Sequence, residues 1–407
     1  MEIKTRQKQQ SRRVRMMAGG AVAICFTGFP HVWSVFQPYM MEQTGWSQSM
    51  ASVSFYLVLA MFVVGNVAGG RIQDSGHHAL AIRLGAGLMA GGVLLSSITI
   101  HANPLPFYLT YGVMQGLGQG MLYATVLSTA QKWFSDRRGF ASGLIVTANG
   151  LCGLFMAPLC KILLKEYGPQ TALFAVGGMI TLACMLCVCG FCVPGNAENT
   201  QNTVTETLNG SQKEYTARQM LQTKSFYFLL LAMFFGLLPY FFVSPVSQSY
   251  QIEKHIVESV AVSAVMLGSV VNALTRLVLP VLADRVGRVP CIKAILLLAA
   301  LTMCGLYFSS SYGITVSIIL LYGCFGGIMG SFPALTSTLF GLRHAGENYG
   351  YVMIGIILAT FAAPGLSAAL QTSGYSMQSI FACGFAAAVL AFICICLLGR
   401  QLKKQAQ

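Results

Sequence analysis

Twelve apolar runs, each about twenty residues or longer, follow one another along this chain, at roughly 16–40, 51–70, 80–100, 107–131, 140–164, 171–193, 225–250, 257–283, 290–309, 312–341, 347–371 and 376–399. About 20 apolar residues of helix cross the hydrocarbon core of a bilayer, so every run is long enough to span it. Within that core the backbone must satisfy its own N–H and C=O groups, which leaves only helices and closed barrels. A barrel strand is a segment of about ten residues with alternating polarity, and these runs are continuous. Composition points the same way: 9% of the 407 residues are charged and 55% hydrophobic, against about 25% charged in an ordinary soluble domain. The expected fold class is therefore an all-α membrane protein of twelve transmembrane helices, and soluble folds are excluded.

A net charge of +13 invites a nucleic-acid reading until its distribution is followed. With the N-terminus placed inside, 21 of the 25 Lys and Arg fall on one side of the membrane, only Lys161, Lys165 and Lys254 fall on the other, and Arg276 lies within a span. That asymmetry is the positive-inside pattern, so the charge reports topology, both termini are expected in the cytoplasm, and no nucleic-acid partner is expected. The first run follows a basic stretch (Lys4, Arg6, Lys8, Arg12, Arg13, Arg15). It is too long for the apolar region of a signal peptide and has no small-residue cleavage site, so it is read as the first span.

A polar segment at 194–224, rich in Asn, Thr, Gln and Glu, reads as a flexible cytoplasmic linker between two six-helix bundles. The expected organisation is a basic N-tail at 1–15, a first bundle at 16–193, the linker, a second bundle at 225–399 and a C-tail at 400–407. The sequon Asn209-Gly-Ser211 sits in that cytoplasmic segment and is assigned to chance. The halves echo one another. Pro30 matches Pro239 at an offset of 209 residues, Asp74 matches Asp284 at 210, and Gly139-x-x-x-Gly143 matches Gly346-x-x-x-Gly350 at 207. Three matches near one offset indicate an internal duplication, an arrangement typical of transporters built from repeats.

Arg276 is the one charged residue deep in a span, eight residues before Asp284, hence about 12 Å from the cytoplasmic end at 1.5 Å per residue. An arginine at that depth costs about 2.5–3.5 kcal/mol on insertion scales, so it faces a partner or a wet cavity. No Asp or Glu lies at comparable depth, and a guanidinium fork matches a carboxylate bidentately, so a substrate anion is the expected partner. Asn272, one turn away on the same face, is placed to donate to the same carboxylate or to a substrate hydroxyl. Tyr123, nine residues before Lys132, matches Arg276 in depth, and its hydroxyl is a further candidate to bind the substrate. His31 is the one histidine inside a span; imidazole titrates near neutrality and suits a proton relay, and Pro30 before it marks a kink where backbone groups are freed. Tyr240, Phe241, Tyr322, Phe325 and Phe332 are candidates to line the remaining cavity. Gly112, Gly116 and Gly120 form a small-xxx-small ridge for close helix packing.

Other chemistries lack their residues. All 13 cysteines lie in apolar runs without a histidine cluster, which argues against a metal site or a disulfide framework. There is no Gly-x-x-x-x-Gly-Lys-Ser/Thr phosphate loop, no Gly-x-Ser-x-Gly elbow and no His-Glu-x-x-His pair, so neither ATP, a cofactor nor a membrane enzyme is expected.

The motif Asp284-Arg285-Val286-Gly287-Arg288 and its shortened copy at Asp74 and Gly76 resemble the signature loops of major facilitator superfamily transporters. Asp74, Asp284, Arg285 and Arg288 take gating roles by that resemblance, although the copy lacks the usual arginine after Asp74. Within the superfamily, Gly28-Phe-Pro-His-Val-Trp-Ser-Val-Phe36 and Trp133-Phe-Ser-Asp-Arg-Arg-Gly-Phe-Ala-Ser-Gly143 resemble the oxalate/formate antiporter and monocarboxylate transporter group. The resemblance implies the major facilitator fold, a functional monomer in a bacterial inner membrane, and alternating access to a site between the two bundles. It also implies that an aspartate of mammalian monocarboxylate transporters is replaced by Asn272 and a lysine by His31, and that related bacterial carriers share the tyrosine at Tyr123. The oxalate-exchanging members carry a second intramembrane lysine in the eleventh span, and residues 347–371 contain none. One cation suits one carboxylate. The expected activity is transport of a small monocarboxylate of the lactate or pyruvate type, with a proton. The alternatives are an oxalate/formate-type anion exchanger and, more remotely, a non-transporting receptor.

Overall fold

The computed structural model describes residues 2–100, 103–193, 214–309 and 311–406, without the side chains of residues 2–9, 31, 34, 48, 49, 52, 248, 249, 258, 262, 405 and 406. The helices are α1 (Glu2–Phe26), α2 (Trp33–Thr44), α3 (Gln48–Asp74), α4 (His78–Ile98), α5 (Gly116–Trp133), α6 (Arg138–Gly190), α7 (Ala217–Leu221), α8 (Lys224–Val243), α9 (Ser247–Glu253), α10 (Glu258–Val286), α11 (Arg288–Phe308), α12 (Tyr312–Phe340), α13 (Ala345–Val352), α14 (Ile354–Thr372) and α15 (Met377–Ala406). Among the described residues, nine helices are long and apolar enough to cross a membrane. Reading α6 as two spans and adding the broken first and fourth spans to these nine gives the expected twelve.

Each break has a local cause. The first span stops at Phe26, turns at Thr27 and Gly28, and continues through a 3-10 turn at Phe29–Val32 into α2. Pro30 has no N–H to give and its ring crowds the preceding turn, so an α-helix cannot run through it undisturbed. The fourth span opens on a π-helical stretch, Tyr108–Gln115, ahead of α5. Helix α6 holds two spans, the fifth and sixth, joined where Gly168 takes φ +76° before Pro169, a left-handed conformation that glycine adopts without strain.

The chain divides into two compact units: Met1–Ala217 with Ser337–Tyr351, and Arg218–Thr336 with Val352–Gln407. In the first, the expected glycine ridge is a packing seam. A side chain at Gly112 would meet Leu57, one at Gly116 would meet Val58 and Met61, and one at Gly120 would meet Phe62 and Asn66, all on α3. Without a hydrophobic driving force between helices in lipid, such close backbone approach is what holds them. Residues 214–217, beyond α6, also belong to this unit and grip the segment 340–348. Glu214 accepts the backbone N–H of Leu342 and Arg343 at 3.2 and 2.9 Å. Tyr215 donates its N–H to the Phe340 carbonyl at 2.9 Å and accepts from Asn348 Nδ2 at 2.9 Å. In the second unit α8 packs against α14 and α15, and α11 against α15. Outward-facing positions such as Phe155, Phe174, Leu182 and Phe308 are left exposed, as a lipid-facing surface requires and a soluble one avoids.

Candidate functional site

Arg276 sits on α10 and is buried, with 4% of its surface accessible. Its Nε donates to Asn272 Oδ1 at 2.8 Å. Because that oxygen accepts from arginine, the donor side of the Asn272 amide is its Nδ2, the group a carboxylate or carbonyl oxygen would meet. The guanidinium carbon lies 5.5 Å from the Phe325 ring centroid, within cation–π range. Phe325 is stacked on Tyr240 at 3.9 Å and 16°, and Tyr240 meets Tyr322 edge-on at 5.1 Å. The Tyr322 hydroxyl is 3.3 Å from Ser244 Oγ and 3.5 Å from Ser247 Oγ. Ser244 opens and Ser247 follows the 3-10 turn Ser244–Val246 that interrupts the seventh span, just past Pro239.

What lets α10 and α12 come close enough to build this group is a second glycine series, Gly323, Gly326 and Gly330. A side chain at Gly326 would collide with the Asn272 carbonyl and the Thr275 hydroxyl, and one at Gly330 with the Arg276 backbone. Thr275 Oγ1 closes the seam by donating to the Gly323 carbonyl at 2.8 Å. Of the residues expected from sequence, the structure therefore groups Arg276, Asn272, Tyr240 and Tyr322, together with Phe325. Phe332 is fully buried on α12, two turns beyond Phe325, and lies outside that ring stack. The serines and the glycine seam were not singled out in the sequence, although the spacing Gly323-x-x-Gly326-x-x-x-Gly330 is a legible small-residue signal.

The remaining candidates lie in the first unit. Tyr123 on α5 is 2% exposed, with its ring edge-on to Phe62 at 5.4 Å. His31 lies on the 3-10 turn of the first span; its side chain falls outside the described residues, so the expected relay role has no geometry to stand on here.

Of the gating candidates, Asp74 ends α3 with its carboxylate almost wholly buried. Oδ2 accepts the backbone N–H of Glu347 at 3.0 Å, and Oδ1 stands 3.7 Å from Lys132 Nζ. Lys132 thus supplies the cation missing from the shortened motif. Gln73 donates to Asp74 at 3.3 Å and accepts from Ser128 at 2.5 Å. Arg71 and Glu347 approach at 3.9 Å. In the nearby loop, burial pushes the His344 imidazole below its usual range, with the Arg343 charge adding to the effect. In the second unit Arg288 donates to Asp284 at 2.8 Å, and Arg285 is exposed.

The sequence model of the Major Facilitator Superfamily matches residues 16–364. Among curated proteins the chain is similar to the "Uncharacterized MFS-type transporter YhjX" of Escherichia coli, at 27% identity over 86% of both chains. It is also similar to the "Oxalate:formate antiporter" of Oxalobacter formigenes, at 23% identity over 93% of this chain and 90% of that one. Human "Monocarboxylate transporter 12" is 29% identical over 42% of this chain and 32% of its own length. Solved structures with the same fold include a bacterial homologue of the iron transporter ferroportin, with TM-score 0.73 at 15% identity over 95% of this chain and 99% of that one. The transporter FucP gives 0.69 at 13% identity over 95% and 99%.

Proposed function

This chain belongs to the Major Facilitator Superfamily, and from that premise we propose that it is a secondary transporter of a small monocarboxylate, in which Arg276 captures the carboxylate. The observation that carries the reading is the buried Arg276–Asn272 pair. A fixed guanidinium offers two parallel N–H donors to one carboxylate, and Asn272 adds a neutral donor beside it. The stacked Phe325, Tyr240 and Tyr322 supply apolar surface for the body of the acid. Similarity to an oxalate:formate antiporter and to monocarboxylate transporters supports a small organic anion as cargo. With Arg276 the one charged residue deep in an apolar run and no lysine at 347–371, a monocarboxylate fits better than a dicarboxylate.

Access alternates between the two sides, the mode expected of transporters built from repeated halves. The membrane is taken to be a bacterial inner membrane, and the charge asymmetry supports both termini in the cytoplasm. The working form is a monomer. A proton accompanies the anion, carried by His31 or by the substrate itself. The test is uptake of labelled L-lactate into proteoliposomes under an inward proton gradient, competed by pyruvate, formate and oxalate. Gradient-driven uptake that monocarboxylates block and oxalate does not is the expected result. Uptake only into anion-loaded vesicles, indifferent to the gradient, would make the protein an exchanger. In His31→Gln, counterflow exchange is expected to survive while gradient-driven uptake fails; undiminished gradient-driven uptake would dismiss His31 as the coupling group.

A further inference from the structure

Helix α12 ends at Phe340, and the chain leaves it through Gly341, whose φ of +88° glycine adopts without strain. The next two backbone N–H groups, of Leu342 and Arg343, converge on one point, and a concave pair of this kind suits an anion. The Glu214 carboxylate fills it, one oxygen to each N–H at 3.2 and 2.9 Å. A side chain at Gly341 would stand where that carboxylate stands, so the glycine serves both the turn and its occupant. Tyr215 completes the clip. Its N–H goes to the Phe340 carbonyl, one of those a helix end leaves without an intrahelical donor. Its ring meets Phe340 edge-on at 5.7 Å, and its own carbonyl accepts from Asn348. Two consecutive residues thus shape a turn that begins 128 positions further along the chain.

That turn runs directly into α13. The Glu347 N–H, which Asp74 Oδ2 accepts at 3.0 Å, lies in the first turn of α13 and is one of the donors that a helix start leaves to outside partners. Its direction depends on how α13 begins. The clip holds Leu342 and Arg343 before it and Asn348 after it, and all of these residues, Asp74 included, belong to the first unit.

We propose that Glu214 is a positioning residue for Asp74, holding the turn at 341–344 so that the Glu347 N–H is presented to the Asp74 carboxylate. Where Asp74 gates, as its loop motif implies, the end of the linker is thereby part of the gate. The charged and titratable groups around Asp74 are Lys132 from α5 and Glu347 from α13, with Arg71 facing Glu347, His77 and His78 at the start of α4 near Lys132, and His344 in the clipped turn. Burial pushes the Asp74 carboxyl up to about 7 against the pull of Lys132 and of the Glu347 N–H. A folded-state value above the ordinary one means stability that is present at low pH and lost as pH rises through about 7. Without the Glu347 N–H the carboxylate loses a donor, and that inflection moves to higher pH.

The test follows the thermal midpoint of the purified full chain in detergent against pH, for the unmodified protein, Glu214→Ala and Asp74→Asn. The inflection near pH 7 is expected to vanish in Asp74→Asn, which separates it from the histidines, and to rise by about one pH unit in Glu214→Ala. Glu214→Gln, which keeps one acceptor oxygen, should move it in the same direction by less, and serves if the alanine variant does not fold. A midpoint lowered equally at every pH in the Glu214 variants, with the inflection in place, would make Glu214 a brace for the turn alone and overturn the proposal. So would an inflection that Asp74→Asn leaves intact. Limited trypsin digestion gives a second readout: cleavage after Arg343 is expected about tenfold faster in Glu214→Ala and unchanged in Asp74→Asn. Equal exposure of that bond in Asp74→Asn would mean that Asp74 holds the turn, the reverse of what is proposed. Neither readout uses a substrate, so failure of the monocarboxylate reading leaves this inference standing.

Discussion

Arg276 Nε donates to Asn272 Oδ1 across one turn of α10 at 2.8 Å, which fixes both the plane of the guanidinium and the face of the amide. The bond spends the Nε–H sideways, along the helix. A guanidinium held in one plane by its helix neighbour matches the planar geometry of a carboxylate.

Asn272→Asp places a carboxylate where the neutral amide stands. It would pair with Arg276 internally and compete with the substrate anion. Anion uptake at neutral pH is expected to fall by about tenfold or more, since a charge-assisted pair of this kind is worth about 1.5–3 kcal/mol. Initial-rate measurements at pH 7 check it; wild-type rates in the variant would remove Asn272 from the site.

Gly326→Leu forces a side chain into the space held by the Asn272 carbonyl and the Thr275 hydroxyl. Helices α10 and α12 must then separate or the leucine must strain, a cost of about 1–3 kcal/mol. A lower thermal midpoint in detergent together with loss of uptake is expected. Gly87→Leu is the control, because nothing stands within 4 Å of its Cβ position.

Lys132→Met leaves the Asp74 carboxylate, 1% exposed in its side chain, without its cation. Burial pushes the Asp74 carboxyl up to about 7 even with Lys132 beside it, so without the cation it takes up a proton, and the loss is expected at about 1–3 kcal/mol, larger at pH 9 than at pH 6. The double variant Lys132→Met with Asp74→Asn should recover much of that loss, since it removes the stranded charge while an amide oxygen still accepts from Glu347. Thermal unfolding of the two singles and the double gives the coupling, and additive losses would show that the two groups do not interact.

The parts of this molecule legible in its sequence are those governed by length, period and local spacing. The spans follow from apolar run length, and the pairing of Arg276 with Asn272 follows from the four-residue helix repeat. The seam at Gly112, Gly116 and Gly120 follows from the same periodicity. What was not legible depends on residues far apart in the chain. Lys132 reaches Asp74 across 58 positions, and the shortened motif gave no sign that a lysine elsewhere would replace the missing arginine. The stacking of Phe325 under Arg276 depends on the register between α10 and α12, which their glycines set but do not announce. The π-helical stretch before α5 has no sequence signature beyond the apolar run that contains it.

The most direct test of the account is the affinity of the purified protein for L-lactate before and after Arg276→Lys, measured by titration calorimetry. The lysine keeps the charge but loses both the bond to Asn272 and the two-pronged grip. The account predicts binding weaker by about tenfold or more, with the thermal midpoint of the substrate-free protein little changed. Equal affinity in the two proteins would contradict it and would place the carboxylate somewhere other than Arg276.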